Sequence, residues 1–225
     1  DKPIRGSYLV NEADFVACHN QAFILSYDIV GDLKEGGNFL LNTSWDVETM
    51  SKVLPAKVRR TLAEKKINFY TIDATHIAEE LKLGSHINII LQSAFFAIAK
   101  VIPMEESVEY MKKAIKKTYF TKGDDVINQN IAAIDRGISD LKKIDIPVEW
   151  VNAQDEEVAK EDNRPEVVKK ILEPLNLQKG DDLPVSAFLD RQNGAIEMGL
   201  TAWEKRNIAV KVPVWEASKC AQCNK

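Results

Sequence analysis

Residues 38–73 read NFLLNTSWDVETMSKVLPAKVRRTLAEKKINFYTID. The stretch opens on the apolar run NFLLN (38–42). A strand buried on both faces reads this way, and parallel sheets use such strands. Residues 46–66 have helical character, broken or restarted at Pro55. INFYTID (67–73) returns to a strand. Strand, helix and strand in that order make the repeating unit of a layered α/β domain.

Working outward, SYLV (7–10) and FVACH (15–19) read as strands, followed by a helical candidate, NQAFILSYDIV (20–30). EGG (35–37) reads as a turn. Past the second strand, Asp73 and Thr75 can cap a helix running to about Lys82. Residues 88–102 are apolar nearly all round, as a packed-in helix should be, and Pro103 ends it. Val108, Met111, Ile115 and Tyr119 mark one face of the next helix. Ile127, Ile131, Ile134, Ile138 and Leu141 mark one face of a long helix starting near Asp124. The expected fold class is α/β: a mostly parallel sheet flanked by helices, then a long helix and an extended C-terminal linker segment. A parallel sheet often begins with a Gly-rich strand-to-helix turn. GSYLV is not such a loop, so one is expected only before Asp1. The chain opens DKPIRGSY without Met and is expected to be a piece of something longer.

The character changes after Pro147. VNAQDEEVAKEDNRPE (151–166) is charged and poor in apolar residues, as linkers and exposed loops are. A short helix is expected over 165–175, and KGDDLP (179–184) turns the chain. Ile208, Val210, Val212 and Val214 alternate like a strand, which Pro213 limits to an edge or an extended crossing segment.

The chain has 225 residues, 45% of them hydrophobic and 28% charged, enough for a sizeable core. A net charge of −4 argues against a nucleic-acid-binding role. The longest uncharged run, 83–99, is too short and too polar to span a bilayer, so no membrane partner is expected. Three cysteines without a disulfide framework fit a reducing, cytoplasmic compartment. Cys18, in DFVACH, reads as a small buried hydrophobe.

The chemistry-bearing motif is at the end, SKCAQCNK (218–225). Cys220 and Cys223 supply two soft thiolate ligands, and a tetrahedral metal or iron–sulfur site needs about four. In the bacterial ferredoxin spacing a third Cys would follow Lys225 directly. The pair also suits half of a zinc site, a thioredoxin-type redox motif, or no chemistry at all. His19, His76 and His86 have no metal-ligand spacing, and a lone His beside an apolar strand is usually structural. The carboxylate pairs fit caps and solvated helix faces, and KKAIKK (112–117) fits a solvated face. No phosphate-cradling loop and no nucleophile elbow is present. The residues alone describe an α/β piece without a complete active site.

LPVSAF (183–188) and WEKRNIAVKVPVWEASKCAQCNK (203–225) resemble the pyruvate:ferredoxin (flavodoxin) oxidoreductase family. Upstream, PIRGSYLVNEADFVACHN, NFLLN, INFYTIDATHIA, INIILQSAFFAIAKVIP and AIKKTYFTKGDDVINQNIAAID are similar to its gamma-type domain. RQNGAIEMGLTA (191–202) departs from the pattern. The resemblance implies residues 1–146 as most of the gamma-type domain, 147–219 as a linker region with the Glu204-Lys205-Arg206 segment, and 220–225 as the start of a ferredoxin-like cluster domain. It implies Cys220 and Cys223 as ligands of one [4Fe–4S] cluster. It marks Glu204, Lys205 and Arg206 as a family motif, with a structural role. It implies an enzyme that decarboxylates pyruvate on thiamine diphosphate with Mg and transfers acetyl to coenzyme A. The implied partners are the remaining domains of the same chain, ferredoxin or flavodoxin, and a second copy in a homodimer. The gamma-type domain would serve as scaffold and coenzyme A platform, with no thiamine site and no activity alone. The competing reading is an independent α/β binding module with a zinc or redox tail.

Overall fold

The computed structural model describes residues 10, 12–154, 163–177, 179–203 and 213–221. The chain divides into two compact units, 1–159 and 160–225. In the first unit, β1 (Ala13–Cys18), β2 (Leu33–Asn42) and β3 (Asn68–Ile72) form a parallel sheet in sequence order. A short fourth strand, β4 (Lys142–Ile144), adds antiparallel to β3. The α/β class with a mostly parallel sheet is the observed one.

The sheet is covered on both faces, which explains the unbroken apolar run of β2. Phe39 and Leu41 face one core, with Cys18, Phe69, and residues of α2 (Val47–Val53) and α3 (Ala56–Glu64). Leu40, between them, faces the other, with Ile72 and residues of α4 (Ala74–Glu80) and α5 (Asn88–Ala99). Alternate side chains of a strand go to opposite faces, so a strand between two helical layers needs apolar residues at every position. Beyond α5, α6 (Met104–Tyr119) and α7 (Asp124–Ser139) form a third cluster around Met111, Ile115 and Ile134. The two apolar stripes expected from sequence line it, except Leu141, which lies beyond α7 and packs on the Leu40–Ile72 core.

Three details differ from expectation. The helix expected over 20–30 is only Gln21–Ile24, capped by the Asn20 side chain; Ile29 and Val30 reach the core from irregular backbone. A short apolar run does not reveal by periodicity alone whether a helix carries it. EGG is a bulge inside β2: Leu33 pairs with Ala13 and Asn38 with Phe15, leaving residues 34–37 opposite Asp14 alone. Gly36 has φ +71°, a conformation suited to glycine, and its N–H donates to Lys65 O. The packed-in helix ends at Lys100, which is left-handed at φ 48°, and Pro103 precedes α6.

The segment after Pro147 returns to the first unit. A single turn, Val148–Asn152, buries Trp150 against Phe69, and the indole Nε1 donates to Ser51 Oγ at 2.9 Å. Arg59 and Arg60 of α3 donate to the Gln154 and Ala153 carbonyls. The second unit holds a helical stretch over 166–176, close to expectation, with a small core of Val167, Val168 and Ile171. Its remaining described residues form only short 3-10 turns. The expected strand at 7–10 and the alternation through Val212 lie outside the described residues, apart from Val10.

Candidate functional site

Parallel strands of an open α/β sheet bind ligands at their carboxyl ends. Here those ends carry Cys18-His19-Asn20, Asn42-Thr43-Ser44 and Asp73-Ala74-Thr75. Asn42 is buried and ties the three together. Its Nδ2 donates to the His19 carbonyl at 2.9 Å and approaches Thr75 Oγ1 at 3.4 Å, and its Oδ1 accepts from the Ala74 N–H at 2.9 Å. Every polar atom of this carboxamide therefore has a partner, as burial requires. Thr43, also buried, donates its hydroxyl to Gln21 Oε1 at 2.6 Å and accepts from the Trp45 N–H. Asp73 caps α4 by accepting from the His76 N–H at 3.0 Å. Thr75, expected as a second cap, instead approaches Asn42.

Around Asn42 at the strand ends, His19, Ser44 and Thr75 are exposed, and Gln21 and Asp73 are half-buried. This is a hydrogen-bonding set of hydroxyl, imidazole and amide groups, with Asp73 already engaged by the helix cap. Asn42 is the last residue of the apolar strand β2, and its burial becomes visible only in the folded sheet. The histidines stand apart from one another in role. His19 gives its carbonyl to Asn42, His76 pairs with Glu80 at 3.3 Å one turn on, and His86 is exposed.

Cys18 lies beside these groups but within the core. Burial pushes its thiol up to about 11, against which nearby backbone hydrogen bonds act only in part. Metal ligation and nucleophilic chemistry need the thiolate, so Cys18 is a core residue and not a ligand. Cys220 is exposed and follows the turn Ala217–Lys219, its N–H donating to the Ala217 carbonyl. Cys223, Glu204, Lys205 and Arg206 lie outside the described residues. The donor chemistry of the tail fits half of a cluster: two thiolates where a [4Fe–4S] group takes four.

An α/β domain with polar side chains joined at its strand ends, followed by a unit with little core of its own, is the class these features define. The profile described as pyruvate ferredoxin/flavodoxin oxidoreductase matches residues 1–139, and the chain belongs to that family. A second profile, the EKR domain of unknown function, matches residues 153–209. The pyruvate:ferredoxin oxidoreductase of Moorella thermoacetica is 47% identical over 99% of this chain and 19% of its own length. The pyruvate-flavodoxin oxidoreductase of Klebsiella pneumoniae is 42% identical over 100% of this chain and 19% of its own. The NADP(+) pyruvate dehydrogenase of Cryptosporidium parvum is 37% identical over 99% of this chain and 13% of its own. The chain thus spans about a fifth or less of the length of these relatives. A solved structure, pyruvate oxidoreductase subunit PORC from Thermotoga maritima, is 26% identical, covering 62% of this chain and 70% of that chain, with a TM-score of 0.48. Among the described residues, no helix is long and apolar enough to cross a membrane.

Proposed function

We propose that this chain is one span of a pyruvate:ferredoxin or flavodoxin oxidoreductase. Such an enzyme oxidatively decarboxylates pyruvate to acetyl-CoA and carbon dioxide and passes the electrons to ferredoxin or flavodoxin. The observation that carries the reading is the alignment: 47% identity to an enzyme of that name over 99% of this chain. Thiamine diphosphate and its Mg belong to other domains of the same polypeptide, which works as a cytoplasmic homodimer. Residues 1–146 act as the gamma-type scaffold and coenzyme A platform, 147–219 as the linker region, and 220–225 as the start of a cluster domain. Cys220 and Cys223 hold one side of a [4Fe–4S] cluster, which when bound carries single electrons. The Glu204-Lys205-Arg206 motif has a structural role, since Lys205 and Arg206 can pair with carboxylates.

The coenzyme A role falls to the strand ends. The pantetheine arm of coenzyme A is a chain of amide and hydroxyl groups, and a set of hydroxyl, imidazole and carboxamide side chains can hydrogen-bond to it. His19 and Ser44 are exposed there and contribute nothing to the core, so they test it cleanly. In the full-length enzyme, the double variant His19→Ala/Ser44→Ala should raise KM for coenzyme A about tenfold while KM for pyruvate stays unchanged. Steady-state kinetics with each substrate varied in turn checks this. Unchanged KM for coenzyme A would move its site elsewhere.

A further inference from the structure

The second unit leaves large apolar side chains without a core. Among its described residues after Leu172, none is buried. Val185 is 88% exposed, Met198 100% and Val214 82%, and Leu189, Ile196 and Trp215 are exposed with them. Single apolar residues on a surface are ordinary, but six of this size along one short stretch are not. The backbone carrying them is nonetheless shaped. Val185–Arg191 forms a 3-10 turn, Arg191 pairs with Glu197, and the Asn193 side chain accepts from the Ala195 N–H at 3.0 Å. Gly194 and Gly199 have φ of +74° and +82°, so two of the bends use conformations that favour glycine. Local bonds set the path; Leu200 packs on the Val167–Ile171 core, while the six side chains named above face outward.

We infer that residues 185–203 and 213–216 form a strap whose apolar side chains are buried against another domain of the same, longer polypeptide. The relatives carry this stretch within chains about five times as long, since this chain covers 19% of their length. A tethered domain is present at a high effective concentration, so it outcompetes a partner arriving from solution. A strap with no strand among its described residues and only a small core gains its burial from such a neighbour. The inference rests on family membership and exposure and is independent of where coenzyme A binds.

The test uses the native full-length enzyme without substrate. Peroxide oxidises a methionine thioether only where it is accessible, so Met198 serves as a footprint. Its oxidation should run at least about tenfold slower in the native enzyme than in the same enzyme unfolded in guanidinium. Oxidation at the unfolded rate would overturn the proposal. A photo-reactive side chain placed at Val185 then identifies the cover. A cross-link to residues outside 1–225 that leaves the mass unchanged on denaturing electrophoresis supports it. A cross-link that doubles the mass would assign the surface to a second copy and overturn it.

Discussion

Gly137 lies where α7 crosses α5, and a Cβ there would stand 2.0 Å from Ser93 Oγ and 2.4 Å from the Ile90 carbonyl oxygen. The Ser93 hydroxyl already donates to that same carbonyl at 2.8 Å, so the crossing has no room to give. Gly137→Ala should destabilise the first unit by about 1–3 kcal/mol, the range for forced overpacking, although alanine is the better helix former. Urea unfolding of the 225-residue chain measures it. Adding Ser93→Gly should not restore stability, because the backbone carbonyl remains in the way; full restoration would place the clash at the hydroxyl alone. Asn42 and Cys18 show the same principle with opposite chemistry. Asn42 is buried and fully hydrogen-bonded, whereas Cys18 is buried and held as a neutral thiol. Of these, the sequence disclosed Cys18 by its apolar neighbours. It could not disclose the Gly137 contact, which depends on a crossing between two helices far from each other in the chain.

At the scale of elements, the ring series Phe39, Phe69 and Trp150 joins two strands to the segment that leaves the domain. The phenyl centroids are 5.5 Å apart and stacked, and Trp150 lies 6.5 Å from Phe69. Trp150→Ala should cost about 3–5 kcal/mol through the lost burial. Trp150→Phe should cost much less, since a ring still fills the site. It forfeits the indole bond to Ser51, and its smaller ring leaves part of the pocket unfilled, so a loss of about 1–2 kcal/mol is expected. Urea midpoints of the two variants check the ordering, and equal costs would assign the effect to the hydrogen bond. This anchor was hidden from sequence reading, because one Trp in a polar stretch gives no periodicity. β4 was hidden for a related reason: three residues, Lys142 to Ile144, are too few to alternate. The helices α6 and α7 were legible because their apolar residues recur at three and four over sixteen residues each. Strand β2 was legible because both of its faces are covered. The polar cluster around Asn42 was not, because its atoms come from three separate strand ends that only the folded sheet brings together.

At the scale of the whole molecule, relatives named for ferredoxin, for flavodoxin and for NADP(+) all contain this span. The choice of final acceptor therefore does not follow from the span's presence. Under the proposed cluster role, the tail is a donor set completed from elsewhere. Cys18 belongs to the core of the first unit, where burial raises its thiol pKa. The 225-residue chain reconstituted with iron and sulfide should accordingly hold well under one [4Fe–4S] cluster per chain, because two thiolates are half the set. In the full-length enzyme, Cys220→Ala/Cys223→Ala should remove about four irons per chain and leave the urea midpoint of the first unit unchanged. Iron analysis with sulfide assay measures the cluster content, and urea unfolding measures the midpoint. Half a cluster per chain would mean that two copies share one, and a full cluster per chain would count against the two thiolates as its ligands. Tight, stoichiometric zinc in its place would support the independent module with a metal tail and count against a cluster ligated here.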